Sequence, residues 1–257
     1  MLRCNAVMRD DEQLEELWRS AAPAAAVERR ELERLPAPAQ RYFERALTLG
    51  EPRASAVRLE MHGEIRLGTR WDRFEATQVI RAGRGFVWRA SIRTRGLRVS
   101  GSDRWVDGAG LVRWKLFGLL PLVKAGGSDI SRSSAGRAAI ECVWLPGALL
   151  DAAERFEELD GMRFAAHVRV GDVVSRVVFD VDGEGRLVSA GMLRWGTPDG
   201  VRTPFRAESF GCVAQAERRF GAHTIPTELR VGWYYGTPFF DADGEFFRCV
   251  VTNAEFR

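Results

Sequence analysis

Few side chains in this chain have the type and spacing that chemistry requires. Arg137 and Glu141 lie four residues apart, so they would share one face of a helix and could form an ion pair. Glu141 could act as an acid or a base if it faced a dry cleft, but we expect it to face solvent in an ordinary surface pair. Asp103 is the second candidate carboxylate, because it interrupts an otherwise small and apolar strand face. It could point inward and meet an arginine, or it could lie at a strand end.

Sequence motifs of common catalytic and nucleotide-binding sites are absent. The chain has no G-x-x-x-x-G-K-[ST] loop, no G-x-S-x-G elbow and no H-E-x-x-H. Its three histidines, His62, His167 and His223, are far apart, and no two of its four cysteines have C-x-x-C spacing. The sequence therefore predicts neither a metal site nor a cofactor, and it favours a role without catalysis while leaving an enzyme open.

Composition and charge exclude further classes. With 38 basic and 35 acidic residues, the net charge of +3 is too small to attract nucleic acid through a general field. The segment from Trp88 to Trp105 mixes arginine with tryptophan, but strand alternation would separate them onto opposite faces, whereas single-stranded nucleic acid needs both on one surface. No nucleic-acid partner is predicted.

Targeting signals are also absent from the sequence. The first 18 residues lack the apolar core of a signal peptide, and no run reaches the roughly 18 apolar residues of a membrane span. These observations predict a cytoplasmic protein without a transmembrane segment, and they leave peripheral contact with a membrane open.

Helical patterns occupy the first 50 residues. A first helix can be capped by Asp10 or Asp11, a second is predicted over 24–35, and a third over 39–49. In the third helix the apolar face, which includes Tyr42, is expected to pack on a sheet.

From about residue 54 the pattern changes to the alternation of half-exposed strands. Turn signals such as Asp107-Gly108 recur every 10–13 residues, which is typical of an antiparallel meander. Strands are predicted over 57–67, 71–81, 86–92, 97–107, 111–116, 153–159, 162–170, 173–181, 186–195, 202–210, 213–220, 227–235 and 246–256.

One stretch interrupts this strand pattern. Residues 116–127 are apolar but broken by glycine and proline, and are expected to form a buried loop or a short strand. A helix near 129–146 follows, which Pro146 would bend or end, and it is expected to cover one face of the sheet. The prediction is an α+β fold: an N-terminal helical segment, 1–50, packs on a single domain, 51–257. That domain is a large, curved, mainly antiparallel half-barrel sheet.

Five segments resemble a bacterial domain-of-unknown-function family. They are LPAPAQRYFERAL, GFVWRASI, DRWVDGAGLVRWKLFGLLPLV, RAAIECVWLPGALL and GAHTIPTELRVGW, and the resemblance covers residues 35–256. The family carries no established reaction. Its layout is similar to the half-barrel folds of lipoprotein carriers, in which a curved antiparallel sheet with a helical lid holds acyl chains.

The leading functional hypothesis is a non-enzymatic carrier or sensor for a hydrophobic or amphipathic, lipid-like ligand. Eight tryptophans and fifteen phenylalanines suit a wide sheet face that one or two helices cannot fill completely. The expected ligand-binding residues are the wall residues Trp88, Trp105, Trp114 and Trp144, with Arg137 and Glu141 as polar anchors near the mouth.

Two alternatives remain open at this stage. The protein could be an enzyme acting on a lipid-like substrate, with Glu141 or Asp103 as acid or base. It could instead be an interaction module that presents the Arg-rich strand face from Arg89 to Arg98 to an acidic partner. The sequence does not predict an oligomeric state.

Overall fold

The computed structural model describes residues 10–200 and 203–257. Part of the N-terminal sequence used to predict the location, and the first residue of the predicted strand 202–210, therefore lie outside the described residues. The described helices are α1 (Asp10–Arg19), α2 (Arg29–Leu32), α3 (Ala37–Ala46), α4 (Ser128–Ile140) and α5 (Pro146–Ala152). The strands are β1 (Ala56–Leu67), β2 (Arg70–Arg81), β3 (Gly85–Thr94), β4 (Leu97–Val106), β5 (Ala109–Leu116), β6 (Leu120–Gly126), β7 (Ala153–Asp160), β8 (Arg163–Val170), β9 (Val173–Val181), β10 (Leu187–Gly196), β11 (Arg206–Phe220), β12 (His223–Trp233) and β13 (Glu245–Phe256).

All thirteen described strands form one antiparallel sheet. Their order is β6-β5-β4-β3-β2-β1-β13-β12-β11-β10-β9-β8-β7. The chain therefore makes two meanders, β1–β6 and β7–β13, which are joined where β1 pairs with β13, with Val57 opposite Phe256. Because β6 and β7 lie at the two edges, the curved sheet stays open, and the predicted fold class is confirmed.

One face of the sheet, here called the inner face, carries the main core. Alternation along β3 places Phe86 and Trp88 on this face and Val87 on the other, outer face. At the β7–β9 end, Tyr42 of α3 packs on the inner face near Phe164 and Phe179, whose rings stack 4.8 Å apart. The predicted packing of α3 against the sheet is confirmed.

The other helices cover parts of both faces. On the inner face α4 lies against β5 and β8–β10, while α5 lies against β7 and β8. On the outer face, Leu14 and Leu17 of α1 pack on a small cluster that includes Val79, Val87 and Val106.

The predicted helix over 24–35 is largely wrong. The Ala24 backbone N–H donates to the Arg53 carbonyl at 2.8 Å, and the Gly50 N–H donates to the Val27 carbonyl at 3.0 Å. Because these backbone groups pair with the segment before β1, the chain is extended there, and only Arg29–Leu32 is helical.

The single helix predicted near 129–146 is three shorter segments. Helix α4 ends at Ile140, a 3-10 turn spans Glu141–Trp144, and α5 begins at Pro146. Proline starts α5 rather than ending a helix because a helix's first residue needs no N–H donor.

Two other predicted elements differ from the structure. The strands predicted over 202–210 and 213–220 are one strand, β11, that runs through Gly211. A Cβ added to Gly211 would lie 2.4 Å from Tyr235 Cγ, so this glycine allows close packing rather than a turn. The apolar stretch 116–127 includes the strand β6, but its predicted burial is wrong, because β6 is an edge strand whose side chains are exposed.

Candidate functional site

A cavity of about 180 Å³ lies between α4, the 3-10 turn and the inner face of the sheet. Its apolar wall includes Ile65, Trp88, Ile140, Trp144, Phe210 and Phe247. Its charged groups are Asp103, Arg137, Glu141 and Arg194. The volume is close to the roughly 150 Å³ of a cavity that holds benzene, and below the roughly 300–1,000 Å³ of drug-sized sites. The cavity is therefore large enough for one short apolar chain segment but not for a drug-sized molecule.

Arg137 links two carboxylates at the polar side of this cavity. Its Nε lies 2.6 Å from Glu141 Oε1, and a terminal nitrogen lies 3.2 Å from Asp103 Oδ2. The Gln78 amide donates to Glu141 Oε2 at 2.6 Å, and the Trp114 indole donates to Asp103 Oδ1 at 3.1 Å. All four carboxylate oxygens therefore accept a hydrogen bond.

The electrostatics of Arg137 follow from this arrangement. Burial by itself would lower the pKa of Arg137, but the Glu141 and Asp103 carboxylates outweigh burial and raise that pKa above its ordinary value. The guanidinium also lies 4.6 Å from the ring centre of Phe86 and 5.4 Å from that of Trp88. One cation and two anions thus form a fixed network below α4.

Arg194 has a different environment on the same cavity. It follows Ala190 and Met192 at every second position of β10, which places it on the inner face. Its guanidinium donates to the Ser133 carbonyl at 3.2 Å and to the Ser133 hydroxyl at 3.4 Å, and it lies 4.5 Å from the Phe210 ring centre.

No carboxylate in the described part of the chain forms an ion pair with Arg194. Burial, and after it the positive charge of Arg137, lowers the pKa of Arg194, and the more distant carboxylates of Glu141 and Asp103 offset this only in part. Because a guanidinium nevertheless stays protonated in proteins, Arg194 remains a cation whose burial its contacts with Ser133 and Phe210 compensate only in part. An anion at this point would relieve that cost.

Trp88 adds an unsatisfied hydrogen-bond donor. Its side chain is only 2% exposed and packs against Phe74, Trp114 and Phe247, with ring centres 5.8–5.9 Å away. The indole N–H has no hydrogen-bond partner among the described residues. Buried donors usually find a partner, so the Trp88 N–H is a polar contact that a bound molecule could satisfy.

Four of the six predicted ligand-binding residues line this cavity, namely Trp88, Arg137, Glu141 and Trp144. Trp105 instead lines a separate cavity of about 70 Å³ beside Cys142. Trp114 packs against Trp88, and its indole N–H donates a hydrogen bond to Asp103. The part of any of these residues in binding stays a prediction.

The expectation that Glu141 faces solvent is wrong. Its side chain is buried, because Gln78 and Arg137 supply hydrogen-bond donors on the inner face. Asp103 points inward and meets an arginine, which is one of the two arrangements left open for it.

Sequence reasoning missed Arg194 and Gln78. Both have a signal in the alternation of their strands, because each is a polar residue at a position shared with inner-face apolar neighbours. Gln78 lies between Ala76 and Ile80 along β2, and Arg194 follows Met192 along β10.

Other surfaces of the described chain are less suited to a ligand. Three larger clefts, of about 570, 520 and 340 Å³, are lined mostly by charged and polar side chains. Within residues 10–200 and 203–257, no group of three or more His, Cys, Asp and Glu side chains could hold a metal ion. In the same residues, no helix has the length and apolar character needed to cross a membrane.

Three solved structures resemble this fold at low sequence identity. A domain assigned to outer membrane lipoprotein sorting, from Vibrio parahaemolyticus, is 9% identical, with 79% of this chain and 86% of that chain covered and a TM-score of 0.43. A DUF1329 family protein from Desulfovibrio piger is 13% identical, with the same coverage and TM-score. A LolA superfamily protein from Nitrosomonas europaea is 11% identical, with 91% and 94% covered and a TM-score of 0.42. TM-scores below 0.5 carry no argument about function.

Family comparison is more decisive than these structural likenesses. Among curated proteins, none matches the chain. A family model described as a family of unknown function, DUF6544, matches residues 25–242, and the predicted membership in such a family is confirmed. That match spans most of the 257 residues and includes every charged residue of the cavity. The chain belongs to the DUF6544 family.

Proposed function

We propose that the protein binds an amphipathic molecule whose apolar part enters the cavity and whose anionic group meets Arg194. One observation carries the proposal: a cation that forms no ion pair with a carboxylate of the described residues borders an otherwise largely apolar cavity. Apolar walls with a few placed polar groups are typical of small-molecule sites. A carboxylate or phosphate on the ligand would pair directly with Arg194, which no carboxylate of the described residues does.

The shape of the cavity adds detail to the proposal. About 180 Å³ accommodates one short chain segment, so a longer ligand would require α4 or the 3-10 turn to move. The free N–H of Trp88 offers one further donor near the polar end. The proposed ligand is thus a single-chain amphiphile such as a fatty acid.

The environment of the carboxylates supports binding over catalysis. Glu141 and Asp103 each accept hydrogen bonds at both oxygens, and both share Arg137. A general acid or base needs an oxygen within reach of a substrate proton, and these four oxygens are already engaged. An enzymatic role is therefore the second candidate function, after ligand binding.

The Arg-rich strand face is a separate candidate surface. Arg89 on the Arg-rich strand face forms an ion pair with Asp11 of α1, so part of that face is internally neutralised. An interaction module built on this face stays a prediction, as does the cytoplasmic location.

The test is a titration of the purified protein with octanoate, decanoate and 1-octanol, followed by tryptophan fluorescence and calorimetry. Octanoate and 1-octanol share the chain length but differ in charge. We expect the wild type to bind octanoate more tightly than 1-octanol. Arg194→Gln should weaken octanoate binding about 10- to 100-fold, since a charged hydrogen bond contributes about 1.5–3 kcal/mol, and leave 1-octanol unchanged.

Arg132→Gln is the matched control, because Arg132 is exposed and lies over the Trp195 ring away from the cavity wall. It should bind both probes as the wild type does. Absence of binding for all three probes, or equal binding of octanoate by the wild type and Arg194→Gln, would overturn the proposal.

A further inference from the structure

The most exposed apolar surface of the described chain is the hairpin between β5 and β6. Its exposed large side chains are Phe117, Leu119, Leu120, Leu122 and Val123, and Leu119 is 79% exposed. Scattered exposed apolar residues are common, but five within seven positions form a patch that usually marks an interaction surface. Neither the cavity nor the core of the sheet uses these side chains.

The hairpin tip holds a bulky residue in an unusual backbone conformation. Phe117 has φ of 52° and is followed by Gly118 at 73°, so both central residues of the turn are left-handed. Asn, Asp and Gly are the residues that normally occupy such positions, because a bulky side chain is strained there. A strained and exposed phenylalanine at a turn suggests a role for its side chain outside the protein.

A second hairpin tip lies beside the first. The β3–β4 turn places Arg95 and Gly96 in the left-handed region and exposes Leu97. The Phe117 N–H donates to the Arg98 carbonyl at 2.9 Å, which fixes the two tips side by side. The hairpin rim is defined here as residues 93–98 and 115–124.

The charges of the hairpin rim all have one sign. They belong to Arg93, Arg95, Arg98, Lys115 and Lys124, and the last two are the only lysines of the chain. None of these five forms an ion pair within residues 10–200 and 203–257. The sequence has no acidic residue between Asp107 and Asp129. The rim therefore combines exposed apolar side chains with unpaired cations.

We propose that the hairpin rim docks the protein onto a lipid bilayer that contains anionic headgroups. Apolar side chains at hairpin tips can enter the headgroup region, while Lys and Arg behind them meet lipid phosphates. This binding surface is separate from the cavity, so it does not depend on the ligand proposed for the cavity.

The edge strand β6 is poorly suited to the alternative of pairing with a strand from another protein. Pro121 lacks the N–H that a ladder requires, and the β5–β6 register shifts between Trp114 and Lys115. Edge lysines such as Lys124 also discourage strand addition. A membrane accounts for the apolar and basic side chains without using the edge backbone.

The test is co-sedimentation of the purified protein with vesicles of phosphatidylcholine, with and without phosphatidylglycerol. We expect binding to vesicles that contain phosphatidylglycerol, weakening as salt is raised. The double variants Leu119→Ser/Leu122→Ser and Lys115→Glu/Lys124→Glu should each weaken this binding at least tenfold. Circular dichroism would show that each variant keeps its fold.

Two control variants test whether vesicle binding depends on the hairpin rim or on exposed apolar and basic side chains in general. Leu193→Ser removes a leucine of β10 that is 73% exposed, and Arg19→Glu/Arg34→Glu makes the same charge change on the N-terminal helical segment. Both controls, and Arg194→Gln, should bind vesicles as the wild type does.

Three results would overturn the proposal. The first is absence of binding to both kinds of vesicle, and the second is an equal loss in the controls. The third is concentration-dependent self-association that Leu119→Ser/Leu122→Ser abolishes while vesicle binding is unchanged, which would assign the rim to contact between copies of the chain.

Discussion

The guanidinium of Arg137 organises the polar end of the cavity. It connects Glu141, on the 3-10 turn, to Asp103, on β4, and so ties the covering segment to the sheet. A buried ion pair gains little net stability over a well-packed apolar pair, but breaking it leaves an uncompensated charge. The network is therefore expected to matter most when one of its members is removed.

We predict that Glu141→Gln lowers the free energy of unfolding by about 2–4 kcal/mol. The variant removes one negative charge beside Arg137. Because Arg137 and Gln78 donate to different oxygens of Glu141, the amide would place an NH₂ group against one of these two donors. Urea denaturation followed by circular dichroism measures the loss.

Glu28→Gln is the comparison for this prediction, because the Glu28–Arg30 pair is exposed to solvent. It should change the free energy of unfolding by no more than about 1 kcal/mol. Equal losses for the two variants would show that the Arg137 network contributes no more than a surface pair.

Sequence spacing located only part of this network. Arg137 and Glu141 are visible as a helix pair because their separation is local. Gln78 and Asp103 come from strands far away in sequence, and only the sheet register brings them to Glu141 and Arg137. The direction in which Glu141 faces depended on those distant partners, so local spacing could not determine it.

Helix α4 is positioned by direct backbone contact with β5. The Gly110 N–H donates to the Ser131 hydroxyl at 2.9 Å, at the N-terminal end of the helix. A Cβ added to Gly110 would lie 2.7 Å from Ser131 Cα and 2.8 Å from the Ile130 carbonyl oxygen. The missing side chain at Gly110 thus lets the covering helix approach the sheet.

We predict that Gly110→Ala lowers the free energy of unfolding by about 1–3 kcal/mol, because the added methyl group meets backbone that cannot rotate away. Chemical denaturation of the variant measures the change. Gly161→Ala serves as the reference, since a Cβ there meets nothing within 4 Å. A stability for Gly110→Ala that matches this reference would mean that α4 docks loosely.

Strand patterns were more predictable than helices in this chain. Alternation along β1 and β2 gave their bounds within one residue, because half-exposed strands carry a strict period of two. The helix over 24–35 failed because residues 24–27 pair with the segment before β1, which is a tertiary contact. Likewise, apolarity in β6 predicted burial, yet burial needs a covering element that only the fold reveals.

The sheet is continuous only through one long-range seam. The two meanders meet in the middle of the open sheet where β1 pairs with β13, and the Ala56 and Arg257 backbones exchange two hydrogen bonds of 3.0 Å. Without this pairing, β1 and β13 would each be an exposed edge strand of its own meander. The two strands protect each other, although nearly 200 residues separate them in sequence. This arrangement argues that the two meanders depend on each other for stability.

We predict that the two meanders unfold together, as they should if residues 51–257 form the single domain predicted from the sequence. Leu59→Ala in β1 and Leu187→Ala in β10 remove buried side chains from opposite meanders, and each should cost about 2–5 kcal/mol. Both variants should shift one common urea transition, in which tryptophan fluorescence and circular dichroism coincide.

Five of the eight tryptophans precede β6, so the fluorescence signal reports mainly on the β1–β6 meander and the helix packed on it. If Leu187→Ala moved only the circular dichroism transition, the meanders would be independent folding units, and the seam would be an interface rather than part of one core.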